Sequence, residues 1–271
     1  MQPSPSDRRL IYDIGMYNAS DTAFYLNKGF RVIAVEANPT YVEQASARFR
    51  EEIAAGLLTI YGVALTETVG YADLYVHEHD DWTRLDKDLA GRAPAFAEGK
   101  FRKIIVPSRP FSEIYARHDI PYYVKLDIEG SELPPIRDIL ASGRHPEYIS
   151  FEMNLRLRTI LDLCMAHGYE WFNIVPQEAK SDFQLPNPPL EGNYVAIRFD
   201  GHMTGPFGRE VPGDWLTRDQ LDAQIAALEA AFARGDEDVK YEWHDIHAWR
   251  RPAGNAGNIV KRPPGDPAAL P

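Results

Sequence analysis

The chain has 271 residues, 44% of them hydrophobic. That suits one large domain, or one domain with an appendage, and excludes a disordered polymer. A formal charge of −11 argues against nucleic-acid binding, which draws on Lys and Arg to neutralise phosphate. The single cysteine, Cys164, excludes an intrachain disulfide, and its neighbours LDLCMAHGY read as a buried, inert thiol. No run of about 18 apolar residues offers a membrane span, and the first residues lack the apolar core of a signal peptide. A cytoplasmic location is therefore the default expectation.

In chain order, RLIYDIG is a strand that breaks at Gly15. DTAFYLNKG is a short helix, capped by Ser20 or Asp21, with Gly29 just past its end. RVIAVEA is a second strand, TYVEQASARFREEIAAG a helix ending at Gly56, and LLTIYGVAL a third strand. This alternation predicts a parallel sheet covered by helices. GYADLYVH alternates as an antiparallel strand, and residues 80–100 are a polar loop. Within that region HEHDDW is expected to lie over the active site, with Trp82 and Thr83 lining it. KIIVPSRPFSEIYARH gives a strand and a helix. YYVKLDIEG, SELPPIRDILASG, YISFEMN and RLRTILDLCMAHG restore the strand–helix alternation. EWFNIVP and NYVAIRFD are expected to close the sheet as a pair of strands. GHMTGPFGREVPGDW is an irregular loop. LTRDQLDAQIAALEAAFARG is an amphipathic helix with Leu221, Ile225, Leu228 and Phe232 on one face, and Thr217 with Gln220 forms a capping box. The expected organisation is a domain over 1–200, a C-terminal appendage over 201–251 that Trp215, Trp243 and Trp249 pack down, and a flexible tail over 252–271.

A ligand of such a sheet binds at the carboxyl ends of the strands, where strand order reverses. Gly15 lets the backbone approach a ligand, and the following helix start favours a negative group. Asp13 offers an acceptor to an ammonium group. Glu36 ends the second strand, about 20 residues beyond the turn, where a carboxylate can chelate a ribose diol. The ligand is then a dinucleotide or S-adenosylmethionine. A dinucleotide needs G-x-G-x-x-G, whereas this turn reads G-M-Y-N-A-S. That points away from an NAD-linked oxidoreductase. A non-catalytic nucleotide-binding subunit is the second alternative.

YDIGMYNASDTAFYLNKGFRVIAVEANP, GVAL, YVKLDIEGSELPPI and YISFE, over roughly residues 10–155, resemble the FkbM-type S-adenosylmethionine-dependent methyltransferases. GPFGREVPGDW and WHDIHAW are similar to C-terminal elements of one branch of that family. One departure is Ala19, where the family often has glycine, although Asn18 tolerates unusual backbone angles. The resemblance implies a class I methyltransferase fold, α/β and Rossmann-like: a doubly wound, mostly parallel sheet with antiparallel closing strands. It implies that Asp13, Gly15 and Asn18 hold the methionine end of the cofactor, that Glu36 binds the ribose, and that Ala37 and Asn38 lie beside the adenine. Val63 and Ala64 would flank the adenine ring, and Asp127 would face the sulfonium. It implies methyl transfer to a hydroxyl of a small molecule, a sugar, glycoside or natural product. Candidate bases for the hydroxyl proton are Asp127, Glu152, His244, Asp245 and His247. A divalent metal, not favoured, would draw on Asp127, Glu152 and Asn154.

Overall fold

The computed structural model describes residues 9–77, 83–85, 101–235 and 243–251. Of the expected HEHDDW loop, His77 ends a strand, while residues 78–82 with Trp82, and the tail 252–271, lie outside the described residues. The chain divides into two compact units, Met1–His145 and Pro146–Pro271. No described helix is long and apolar enough to cross a membrane.

In the first unit, β1 (Leu10–Ile14), β2 (Arg31–Glu36), β3 (Leu58–Gly62) and β7 (Tyr123–Leu126) are parallel, in the order β3-β2-β1-β7. Every residue of β1 and of β7 is buried. These are the buried, mostly apolar runs of a parallel sheet covered on both faces, each interrupted by one charged residue, Asp13 and Lys125. The chain leaves β1 toward β2 on one side and reaches β7 on the other, so strand order reverses at β1. Helices Ser20–Asn27, Pro39–Arg48 and Arg50–Ala54 make the crossovers from β1 to β2 and from β2 to β3, Phe111–Tyr115 precedes β7, and Leu133–Ala141 follows it. The expected helix up to Gly56 is broken at Phe49, whose side chain turns into the core. The expected third strand is also two. It kinks at Val63, and β4 (Ala64–Leu65) leaves for a second sheet, β4-β6-β5, with β5 (Gly70–His77) antiparallel to β6 (Phe101–Arg109).

In the second unit, β10 (His244–Arg250) lies between β8 (Tyr148–Glu152) and β9 (Tyr169–Pro176), antiparallel to both. The closing partner of β9 is therefore WHDIHAW and not NYVAIRFD. Residues 194–200 form no strand and leave Tyr194 exposed, whereas β10 buries five consecutive residues. A strand between two neighbours needs that burial on both faces, and NYVAIRFD alternates as a half-exposed segment would. Trp215 and Trp249 pack with Tyr148, with ring centroids 5.9–6.5 Å apart, while Trp243 stays exposed. Cys164 is buried and its thiol pushed up to about 12 by burial, as an inert core residue requires.

Helix Arg218–Ala233 starts with the expected capping box: Thr217 accepts from the Gln220 N–H, and the Gln220 side chain accepts from the Thr217 N–H. Leu221 and Ile225 are buried, while Phe232 is 61% exposed, so the buried side chains of the helix lie in its first half and Glu229 further along pairs with Arg158 at 3.4 Å. Thr217→Ala is expected to cost about 1 kcal/mol, read as a lower denaturation midpoint at unchanged slope.

Candidate functional site

The turn after β1 is fixed by its neighbours. The N–H groups of Gly15 and Met16 both donate to the Val35 carbonyl, at 2.9 and 3.1 Å. Tyr17 and Ala19 have positive φ, 49° and 60°. Ala19 thus takes the left-handed conformation that glycine would adopt freely, at a cost of about 1–2 kcal/mol. Its side chain is wholly buried, which offsets part of that. Asn18 does not take up the strain. Its side-chain oxygen accepts from Ser20 N at 3.0 Å, while the N-cap position of the next helix falls on Ala19, which has no side chain to cap with, and on neither Ser20 nor Asp21. Gly15 has φ +82°, and a Cβ there would lie 1.8 Å from the Asp127 carbonyl oxygen. The group that crowds Gly15 in this structure is the Asp127 backbone.

Beneath the turn lies a buried charge cluster that the sequence reading passed over. Asp13 in β1 and Lys125 in β7 are neighbours across the parallel pair. The Lys125 ammonium donates to the Gly15 carbonyl at 2.6 Å. It lies 3.2 Å from Asp13, 3.7 Å from Asp21 and 3.9 Å from Asp127. Burial alone would lower the lysine's pKa, but Asp13, Asp127 and Asp21 outweigh it and raise the pKa above its ordinary value. Asp13 also accepts from the Thr22 hydroxyl at 2.6 Å. It is fully buried, while the Asp127 side chain is 37% exposed. A lysine inside an otherwise apolar strand was the available signal, because a buried ammonium requires an acidic partner.

Glu36 closes β2, and its carboxylate joins two turns. One oxygen accepts from Tyr17 N at 2.8 Å and the other from Asn38 N at 2.7 Å. Burial raises its pKa, and these two N–H groups pull the other way. The Asn38 side chain caps helix Pro39–Arg48 by accepting from Thr40 N at 3.1 Å. Val63 is buried, and Ala64 belongs to a small core with Leu74, Val76 and Val106, against which Ala37 packs.

Asp127 begins a tight turn with positive φ at Glu129 (55°) and Gly130 (90°). Fully buried Glu132, also missed by the sequence reading, organises it: one carboxylate oxygen accepts from Ile128 N at 3.1 Å and Gly130 N at 3.0 Å. Burial pushes Glu132 up to about 7 despite the N–H groups that pull it down. Arg84 reaches Glu129 at 3.2 Å.

In the second unit, Glu152 and Asp245 face each other across β8 and β10. The Gln177 amide donates to both, at 3.3 and 3.1 Å, and Lys180 pairs with Asp245 at 2.8 Å. Gln177 and Lys180 sit in a short 3₁₀ helix, Gln177–Asp182, with no periodic pattern to announce them. His244 opens β10, and His247 lies within it, buried opposite Ser150 and Asn173. Burial, then the Lys180 charge, lower His247 to about 3, so it is a weak proton acceptor. Asn154 serves a turn: its side-chain oxygen accepts from Arg156 N and its amide donates to the Glu152 carbonyl.

The sequence model described as the Methyltransferase FkbM domain matches residues 13–171. No curated protein matches the chain. Among solved structures, the chain is similar to methyltransferase FkbM from Methylobacillus flagellatus KT, at 20% identity and a TM-score of 0.39. That match covers 59% of this chain and only 37% of the other. It is also similar to the precorrin-6y C5,15-methyltransferase from Geobacter metallireducens GS-15, at 17% identity, 63% and 69% coverage and a TM-score of 0.36. A third is an rRNA methylase from Streptococcus thermophilus, at 12% identity, 69% and 82% coverage and a TM-score of 0.35. The strained turn, the Glu36 carboxylate and the Asp127 turn all fall within residues 13–171, more than half of the chain, and the chain belongs to the FkbM methyltransferase family.

Proposed function

We propose that the protein is an S-adenosylmethionine-dependent O-methyltransferase acting on a hydroxyl of a small molecule, a sugar, glycoside or natural product. The observation that carries the reading is Glu36, which closes β2 while holding the turn after β1. Each of its oxygens accepts one backbone N–H and keeps a lone pair for a further donor. A ribose diol fits such a group. The turn has one glycine and no G-x-G-x-x-G, which disfavours the pyrophosphate of NAD.

In this reading Glu36 binds the ribose, and residues 15–18 form the cradle for the amino-acid end. Ala37, Asn38, Val63 and Ala64 border the adenine. Asp13 acts one layer below, holding Lys125 under the turn. When bound, the cofactor supplies a methyl group already activated by a sulfonium. The chain must then align the acceptor oxygen and remove its proton. Asp127 and Glu152 end their strands with partly exposed carboxylates and suit that proton transfer. Asp245, paired with Lys180, and His247, buried opposite Ser150 and Asn173 with its pKa lowered by burial, are less suited to it.

Calorimetry with S-adenosylmethionine, S-adenosylhomocysteine and NAD tests the ligand. Glu36→Ala is expected to weaken both adenosyl ligands at least about 100-fold, because it removes the diol acceptor and unties Tyr17 and Asn38. Binding of NAD alone overturns the reading. A methyl-transfer screen over glycosides, polyketides and phenols tests the acceptor.

A further inference from the structure

We propose that the Asp13–Lys125–Asp21–Asp127 cluster distinguishes the cationic methyl donor from its neutral product, with Asp127 supplying the discriminating charge and Lys125 tempering it. The inference rests on the cofactor reading above and adds a property to that site.

Three carboxylates surround one ammonium, within 3.2 to 3.9 Å. With all four groups ionised, the cluster keeps an excess of negative charge. Asp13 and Asp21 are sealed in the protein, as is Lys125. Only Asp127, with its side chain 37% exposed, faces outward. Its place is fixed from two sides: its backbone carbonyl abuts Gly15, and Glu132 clamps the turn that follows it. The same ammonium that offsets the carboxylates also holds the Gly15 carbonyl of the cradle turn. The charge of the cluster is thereby built into the position of that turn.

The two ligands differ by one methyl group and one positive charge on sulfur. Packing against the common adenosine and amino-acid parts acts on both alike. A fixed negative charge acts on their difference. The Asp127 carbonyl abuts Gly15 of the cradle turn, and in a partly desolvated site one unit charge close to the sulfur is worth about a severalfold to tenfold change in relative affinity. The donor therefore enters favoured, and the attraction ends once the methyl has left.

The test is the ratio of the two dissociation constants, S-adenosylhomocysteine to S-adenosylmethionine, by calorimetry at about pH 8 on the full chain. Asp127→Asn is expected to lower the ratio about tenfold, and Asp127→Glu to restore it. Lys125→Met is expected to raise it, the opposite direction. A purely structural role would weaken both ligands together and leave the ratio alone. If Lys125→Met does not fold, the Asp127 pair still decides. A ratio in Asp127→Asn within twofold of the unaltered chain's overturns the proposal. Failure of the unaltered chain to bind either adenosyl ligand overturns the cofactor reading instead.

Discussion

Gly15→Ala is expected to destabilise the protein by about 2–5 kcal/mol, lowering its melting temperature by roughly 10 °C, and to remove adenosyl-ligand binding. Two costs add. The backbone at φ +82° is left-handed, which penalises any side chain. The new methyl would also lie 1.8 Å from the Asp127 carbonyl oxygen, a backbone atom with no rotamer to yield. Relief requires β1 and β7 to part at their ends, where the Asp127 N–H donates to the Ile14 carbonyl. That movement drags Lys125 from the Gly15 carbonyl as well. Gly56→Ala is the control. Its φ is +70°, but a Cβ there has nothing within 4 Å. It should lose only the conformational cost, about 1–2 kcal/mol, and keep ligand binding. Equal losses in the two variants, by thermal denaturation and calorimetry, would show that close approach at Gly15 does not matter.

The order of elements was legible because parallel strands buried on both faces leave mostly apolar runs, as in LIYDI and YVKL, each with one charged residue. Residues that end those runs, Glu36 and Asp127, were legible for the same reason. The polar groups inside the runs were harder. Asp13 reads as a ligand for an ammonium, and the ammonium it meets in the folded chain is Lys125, 112 positions away in sequence. Only register across β1 and β7 reveals the pair. The turn residues divided similarly. Asn18 looks like the position able to bear unusual angles, yet its side chain holds the Ser20 N–H while Tyr17 and Ala19 bear the strain. The closing strand was misassigned because NYVAIRFD and WHDIHAW both alternate, and burial against β8 and β9 distinguishes them only after folding. Glu132 hides in a turn that sequence pattern reads as polar surface, though it is wholly buried.

His247 should make the protein labile to acid, and His247→Leu should remove that lability. The imidazole sits mid-strand in β10 between Ser150 and Asn173, and its Nε2 has no hydrogen-bond partner among the described residues. Charging it would place a cation in dry surroundings beside the Lys180 ammonium, which is why its pKa falls from 6.5 to about 3. In the unfolded chain the ring recovers its ordinary pKa. Between those two values the unfolded state binds a proton that the native state refuses. Stability is therefore intact above about pH 6.5 and falls with pH below it. From about pH 7 to pH 4.5, the lost stability is about 3 kcal/mol, at 1.36 kcal/mol per unit of difference. Glu132 acts in the reverse sense. Its folded pKa of about 7 exceeds the ordinary 4.5, so its contribution weakens as pH rises through that interval. The two effects partly cancel in the unaltered protein, and a shallow overall pH profile would conceal both. Comparison with His247→Leu separates them, because Glu132 contributes equally to each. Denaturant unfolding at the two pH values should show the unaltered protein losing about 3 kcal/mol more than the variant. Parallel pH profiles, or a His247 ring resonance that titrates near 6.5 in the folded protein, would mean that the imidazole reaches solvent or a partner and is not buried as β10 places it.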